Sequence, residues 1–336
     1  MHYGAAFRRK KPMSFPVAPS SETPVRVLVT ICTRNRPILL DQCLASVCAS
    51  EPAEGAAFEI AVIENNDRLT CEEIAARHQA ASGIRVHCVL EPELGLPFAR
   101  NRCGTYAAAN GFDWLLYIDD DEVAQPDWFR TMMAATKIYP ADVFYGRVIS
   151  IYPEGTPAYL RERSINKRPT GTSMTKAEGH NTLVRTAIFA EDGDNLRFDT
   201  SMRFTGGSDT DFFSRVAAKG RSIVWIGEAI VEELVPETRM TLGWQLNRTF
   251  RVAVNLSVLK AKKEGKAAAA FFSLVKGTGR LLGGVLSLPL GALALVMPDK
   301  GRRWGFKALK QIASGLGSYA YLFGVRPQPY RKVDGA

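Results

Sequence analysis

Four consecutive acids, Asp119-Asp120-Asp121-Glu122, follow directly on the apolar run Leu115-Leu116-Tyr117-Ile118. Carboxylates gathered at the end of a buried strand are costly unless a cation or a positively charged ligand sits there. Oxygen donors without nearby histidine or cysteine favour a hard divalent ion, Mg2+ or Mn2+. Asp119 and Asp121 can turn toward one point at a strand end, where the ion would in turn hold a diphosphate. A solvated acidic turn capping the next helix is the plain alternative, because D-x-D is a common string.

A second cluster is Gly206-Gly207-Ser208-Asp209-Thr210-Asp211-Phe212-Phe213. Ser208 is expected to cap a helix whose apolar positions include Phe212, Phe213 and Val216, with Gly220 closing it. Asp209 then falls in the first turn, where the helix dipole favours the ionised carboxylate, a useful state for a general base. The plain alternative is that both aspartates merely complement the helix N-terminus. A third cluster, Trp244-Gln245-Leu246-Asn247-Arg248-Thr249-Phe250-Arg251, offers Arg248 or Arg251 to a departing diphosphate. A basic helix face explains it equally well. His180-Asn181 could line an acceptor cleft, although a lone histidine is more often structural. Glu233 is assigned no role. His2, His78 and His87 have no cluster around them, and the sequence holds no nucleophile motif, Walker loop or G-x-G-x-x-G.

These residues need elements to position them. Val25–Ile31 reads as a buried strand, followed by the turn Thr33-Arg34-Asn35-Arg36-Pro37 and a helix with Leu39, Leu40, Cys43, Leu44 and Val47 on one face. Phe58–Ile63, Ile84–Leu90 and Trp114–Ile118 read as further strands, separated by helices over Cys71–Gln79 and Phe98–Asn110. This alternation predicts an α/β fold with a largely parallel sheet covered on both faces. Ligands collect beyond the carboxyl ends of strands in such sheets. After Ala141, Val143–Ile151 is strand-like and Pro153–Gly179 is a polar loop. His180–Phe189 and Ser222–Val235 are strands or edges, and a helix is expected from about Leu242 to Lys260.

The chain of 336 residues can hold one large core with an accessory region. The formal net charge of +9 selects no partner by itself. Its basic residues are dispersed rather than striped with aromatics, which argues against nucleic acid. The six cysteines, Cys32, Cys43, Cys48, Cys71, Cys88 and Cys103, form no C-x-x-C pair and read as core thiols in a reducing compartment. The first 24 residues, with Arg8-Arg9-Lys10-Lys11, lack the apolar core of a secretory signal and read as a flexible basic tail. Leu281–Met297 contains no charged residue and Ala267–Val275 is also apolar. A full span needs about 20 residues, so the expectation is an interfacial or re-entrant hairpin or a short span. A buried helical pair is the alternative.

Four motifs in order resemble the family-2 glycosyltransferases over roughly Val25 to Arg251. They are the opening strand with Thr33-Arg34-Asn35-Arg36, the segment Val62-Ile63-Glu64-Asn65-Asn66-Asp67, the segment Glu93-Leu94-Gly95-Leu96-Pro97-Phe98-Ala99-Arg100-Asn101, and Asp119-Asp120-Asp121. The resemblance implies a GT-A fold: a mostly parallel central sheet flanked by helices, here with a C-terminal apolar helical region. It implies a catalytic domain over 25–260, divided at 122 into nucleotide-binding and acceptor halves; the apolar runs beyond it read as a membrane-associated helical region over 261–336. Thr30, Glu64 and Asn65 would contact the nucleobase, Arg100 would lie near base and phosphate, and Thr33, Arg34, Asn35 and Asp120 would line the nucleotide-sugar site. Asp119 would face ribose or metal, Asp121 would be the main metal ligand, and Asp209 resembles the catalytic base. Gln245 and Arg248 match part of a Q-x-x-R-W element, with Thr249 in place of tryptophan. Glu64-Asn65 in place of paired aspartates, and Ser208 in place of glutamate, are departures from the pattern.

The D-D-D-E and V-P-x-x-R stretches further resemble bacterial exopolysaccharide transferases of the succinoglycan type. That implies inverting, metal-dependent transfer of a glucose-like sugar from a nucleotide sugar, a UDP-sugar first, to a lipid-linked oligosaccharide. The expected place is a membrane surface on the cytoplasmic side of the bacterial inner membrane. The alternatives are a sugar-phosphate nucleotidyltransferase and a catalytically lapsed GT-A membrane adaptor.

Overall fold

A computed structural model describes residues 23–161 and 168–328. The basic tail therefore lies almost wholly outside the described residues, as does part of the loop after Pro153. The strands are β1 (Val25–Thr33), β2 (Ala56–Glu64), β3 (Val86–Leu90), β4 (Trp114–Asp119), β5 (Glu122–Ala124), β6 (Val143–Ile151), β7 (Ser173–Met174), β8 (Thr182–Arg185) and β9 (Ile223–Leu234). The helices are α1 (Pro37–Cys48), α2 (Glu72–Ser82), α3 (Leu96–Ala109), α4 (Trp128–Ile138), α5 (Ser208–Ala218), α6 (Leu242–Glu264), α7 (Lys266–Ser287) and α8 (Pro298–Leu322).

The strands form one sheet in the order β3-β2-β1-β4-β8-β6-β9-β5, with β7 on β9. The pairs β3-β2, β2-β1 and β1-β4 are parallel, as the strand–helix alternation requires. Beyond β4 the sheet becomes mixed: β6 and β9 pair in parallel over the length of β6, but antiparallel neighbours flank them. There β8 runs antiparallel to both β4 and β6, and β5 runs antiparallel to β9. The reason is local: no helix among the described residues lies between β6 and β8, so the chain can return antiparallel beside β6.

Alternation along β1 builds the two faces of the core. Val27, Val29 and Ile31 meet Leu40, Cys43, Leu44 and Val47 of α1, together with Trp128, Phe129 and Met132 of α4. Leu28 points the other way, against Ala99, Cys103 and Ala107 of α3 and the aromatic group Phe189, Phe198, Phe212 and Phe213. Helix α4 has no counterpart in the sequence reading. Its signal is the spacing Trp128, Phe129, Met132, Met133, all buried on one helical face.

The C-terminal helices form a separate layer. Expected at about Lys260, α6 continues to Glu264 and packs against α8, so the boundary at 260 does not divide the layer from the helix before it. Close approach is allowed by Gly317, where a Cβ would collide with the Phe250 carbonyl and Ala253 of α6. No helix among the described residues is long and apolar enough to cross a membrane. The short-span reading is corrected accordingly: Lys276 and Arg280 interrupt α7, and the apolar run beyond it breaks into 3-10 turns at Leu288–Leu295.

Candidate active site

The register of β1 against β4 sets Cys32 beside Asp119, so the turn after β1 and the acids after β4 leave the same edge of the sheet. In that turn Asn35 adopts a left-handed backbone, φ 55°, and its side-chain oxygen accepts from Asn66 Nδ2 at 2.9 Å. Asparagine tolerates this conformation because its short amide bonds locally. Thr33 Oγ1 donates to Asp120 Oδ2 at 2.8 Å, and Arg36 Nη1 lies 2.9 Å from Asp120 Oδ1 and 3.6 Å from Asp121 Oδ2. Burial lifts the Asp120 carboxyl to about 6 despite the pull of Arg36.

Asp121 sits between two guanidiniums, Arg36 and Arg239, each 3.6 Å from its Oδ2. Burial raises its pKa, the neighbouring charge of Asp119 raises it further, and Arg239 and Arg36 pull the other way. The last acid takes a different part. Glu122 is buried at the start of β5, where Oε1 meets His180 Nδ1 at 2.9 Å and Oε2 accepts from the Asp119 backbone N–H at 3.0 Å. His180 Nε2 reaches Glu178 Oε2 at 2.7 Å. Burial would depress the imidazole pKa, but Glu122 and Glu178 carry it well above the usual histidine value. His180 thus fastens the acid loop to the segment before β8.

Arg100 joins the acids to the second cluster. Gly95, at φ 134° with its N–H held by Asn65 Oδ1 at 2.7 Å, starts α3, and this helix carries Arg100 under the end of β4. The guanidinium is 2% exposed; it pairs with Asp209 and lies 3.5 Å from Asp119 Oδ1. Burial alone would lower its pKa, but Asp209 and Asp119 raise it, so it stays charged. Gly179 packs flat on this guanidinium, at a spot where a Cβ would collide. Asp209 lies in the first turn of α5, as expected, and Ser208 Oγ is 3.3 Å from its Oδ1. The cap itself is Gly207, at φ 84°, rather than Ser208, which is already helical. The glycine permits the sharp entry that points Asp209 at Arg100.

Three residues expected at the nucleobase are not brought to the cleft. Thr30 is fully buried in β1, three positions before the strand ends, with no hydrogen-bond partner for its hydroxyl. The Glu64 carboxylate turns back on the entry to α2, accepting from the N–H groups of Thr70 at 2.5 Å and Cys71 at 3.0 Å. A buried carboxylate is stabilised by such donors at a helix N-terminus. Asn65 is consumed by Glu91 O, Glu93 O and the Gly95 N–H. Arg34 is half-buried and its Nε lacks a partner.

Gln245 is buried and donates to Arg239 O at 3.2 Å. Arg248 lines a cavity of about 60 Å3 together with Ser150, Tyr152, Glu233, Arg239 and Trp244. Arg239 is a site residue that sequence reasoning did not assign. Its only signal was its place in Val235-Pro236-Glu237-Thr238-Arg239, just after the strand that faces the acids. Glu233, left without a role, holds Arg239 Nη1 at 3.1 Å.

Among the described residues no group of three or more histidine, cysteine or acidic side chains could hold a metal ion alone. Asp119 and Asp121 nevertheless repel one another as an all-oxygen pair, which a hard divalent cation would relieve. The fit is that of an ion completed by ligand phosphate and water.

The family model for glycosyl transferase family 2 matches residues 28–191. The succinoglycan biosynthesis protein ExoM of Rhizobium meliloti (strain 1021) is 30% identical over 247 residues, which cover 70% of this chain and 75% of that protein. The mannosyltransferase PcManGT of Pyrobaculum calidifontis shares the fold with a TM-score of 0.55 at 18% identity, over 90% of this chain and 88% of that one. S. aureus TarS 1–349 does so with a TM-score of 0.52 at 13% identity, over 88% and 91%. The mixed sheet, its flanking helices and these likenesses make the architecture a GT-A fold. The chain belongs to glycosyl transferase family 2.

Proposed function

We propose that this chain performs inverting transfer of a glucose-like sugar from a nucleoside-diphosphate sugar, a UDP-sugar first, to a hydroxyl of a lipid-linked saccharide in exopolysaccharide synthesis. The observation that carries the reading is the meeting of Asp119 and Asp209 at one buried guanidinium, Arg100. The likeness to ExoM supports the pathway class. TarS has been solved with UDP and with UDP-GlcNAc, and PcManGT with GDP-Man and Mn2+, which supports a nucleotide-sugar donor. Free thiols fit the cytoplasmic side of the bacterial inner membrane, where the proposed chemistry would take place.

On this reading Asp209 accepts the proton of the acceptor hydroxyl as that oxygen attacks the anomeric carbon. The bond from that carbon to the diphosphate breaks on the opposite face, and its electrons pass to the leaving nucleoside diphosphate. Only one base is needed, and configuration inverts. Asp119 and Asp121 would hold a divalent ion, Mg2+ or Mn2+, whose chemistry is charge compensation at the diphosphate. Arg36 and Arg239 add positive charge beside Asp121, and Arg248 lies in the cavity next to them. Holding donor and acceptor in line contributes on the order of 7 kcal/mol or more to lowering the barrier.

The test is a screen of nucleotide sugars with membrane lipid extract, following sugar incorporation, beside a parallel assay of nucleoside triphosphates with sugar 1-phosphates, following pyrophosphate release. Incorporation with release of nucleoside diphosphate supports the reading. Pyrophosphate release in the parallel assay would make the chain a nucleotidyltransferase, and absence of turnover in both assays would make it an adaptor.

A further inference from the structure

The C-terminal layer exposes apolar side chains that the transfer chemistry does not use. Around the junction of α7 and α8, Leu295 and Val296 are 89% and 80% exposed and Leu286 at the end of α7 is 77% exposed, with Leu290, Met297 and, in α8, Trp304 also exposed. Isolated surface leucines are ordinary, but a contiguous apolar tip marks an interaction surface. Lys266–Leu322 carries eight lysines and arginines against one acid, Asp299, and so holds most of the chain's formal excess of +9. Four of them, Arg302, Arg303, Lys307 and Lys310, follow the tip within the first half of α8, and the Lys307 ammonium lies 5.1 Å from the Trp304 ring.

We infer that this tip and its basic collar form a docking surface for an anionic lipid bilayer, lying in the interface rather than spanning it. Apolar side chains entering the acyl boundary, with lysines and arginines left at the phosphates, are the pattern of interfacial helices. No helix among the described residues could cross, and Lys276 and Arg280 stand in the middle of α7. A second copy of this chain is a poorer occupant, because a two-fold contact would set the basic collars against each other.

The surface adjoins the acceptor half. Phe306 of α8 meets the Tyr159 ring at 5.7 Å, edge to face. Tyr159 belongs to the loop after β6, and the end of that strand at Ser150, with Tyr152, lines the cavity shared by Arg239, Trp244 and Arg248. A lipid-borne acceptor would therefore meet the cleft from the docked side. The docking surface stands on its own observations; only the acceptor brought to it rests on the proposed transfer.

The experiment is flotation of the full chain with vesicles of phosphatidylcholine alone and of phosphatidylcholine mixed with phosphatidylglycerol. Two variants, Leu295→Glu with Val296→Glu and Arg302→Glu with Arg303→Glu, are compared with the wild type. Light scattering, far-ultraviolet dichroism and calorimetric donor binding are measured on each. The expected result is binding to the phosphatidylglycerol vesicles that weakens with salt and falls about tenfold or more in both variants, with dichroism and donor binding unchanged. The inference is overturned if the wild type ignores these vesicles or if both variants bind as it does. It is also overturned if scattering shows a dimer that the Leu295→Glu variant dissolves. A chain that binds vesicles yet takes no nucleotide sugar would overturn the transfer reading and leave the docking surface standing.

Discussion

Asp209, at the start of α5, is ion-paired with Arg100 of α3, 109 positions earlier in the chain, and the same guanidinium lies 3.5 Å from Asp119. Arg100 is therefore a positioning residue for both acidic clusters. Replacing it with methionine leaves two partly buried carboxylates facing each other. Stability is expected to fall by about 1–3 kcal/mol, and Arg100→Lys should recover part of it. Urea melts of the three proteins check this; equal midpoints would remove Arg100 from the account.

Asp121 is expected to be the residue on which metal dependence turns. Chelation should weaken nucleotide-sugar binding at least about tenfold, added Mg2+ or Mn2+ should restore it, and Asp121→Ala should make affinity insensitive to the ion. Calorimetric titration of the donor with and without chelator makes the comparison. Metal-sensitive binding that survives in Asp121→Ala would place the ion elsewhere.

Asn181, expected as a candidate lining of the acceptor cleft, is instead fully buried, with a left-handed backbone at φ 43°. Its amide donates to Arg147 O at 2.8 Å and Ala229 O at 2.9 Å, and accepts from Trp128 Nε1 at 2.7 Å. Asn181→Leu strands all three groups and should destabilise by about 3 kcal/mol or more. A denaturant midpoint within error of wild type would contradict this structural role.

The pair Asp199–Lys262 ties α6 to the loop before α5 and is sensitive to acid. Burial raises the Asp199 pKa, but Lys262 and Ser201 outweigh it and hold the carboxyl at about 2. A depressed folded-state pKa contributes stability above the unfolded value and loses it as pH falls toward the folded one. Wild type should therefore be more stable than Lys262→Met at neutral pH, with the gap closing between about pH 4 and pH 2. Thermal melts across that window test the sign.

Much of this was legible because it is local. The β1 strand and its Thr33–Arg36 turn, the acids ending β4, and the glycine-to-helix entry at Asp209 each announce themselves within a few residues. What the sequence hid is direction. Glu64 and Asn65 occupy the expected strand end, yet their side chains face the Thr70–Cys71 and Glu91–Gly95 backbones, whose N–H and carbonyl groups need partners. Only tertiary packing decides whether such residues serve a ligand or the chain itself. Likewise His180, read as a lone histidine, has Glu178 two residues before it but acquires Glu122 only once β5 and the segment before β8 come together. The antiparallel insertion of β8 was invisible for the same reason: four residues cannot state which neighbour they will pair with.

The most direct test of the central claim is the single-turnover transfer rate of Asp209→Asn beside its calorimetric affinity for the donor. If Asp209 receives the acceptor's proton in the cleft it shares with Asp119, the rate falls by about 10² to 10⁴ while donor affinity stays within about twofold. An unchanged rate in a variant that binds donor normally would contradict the account.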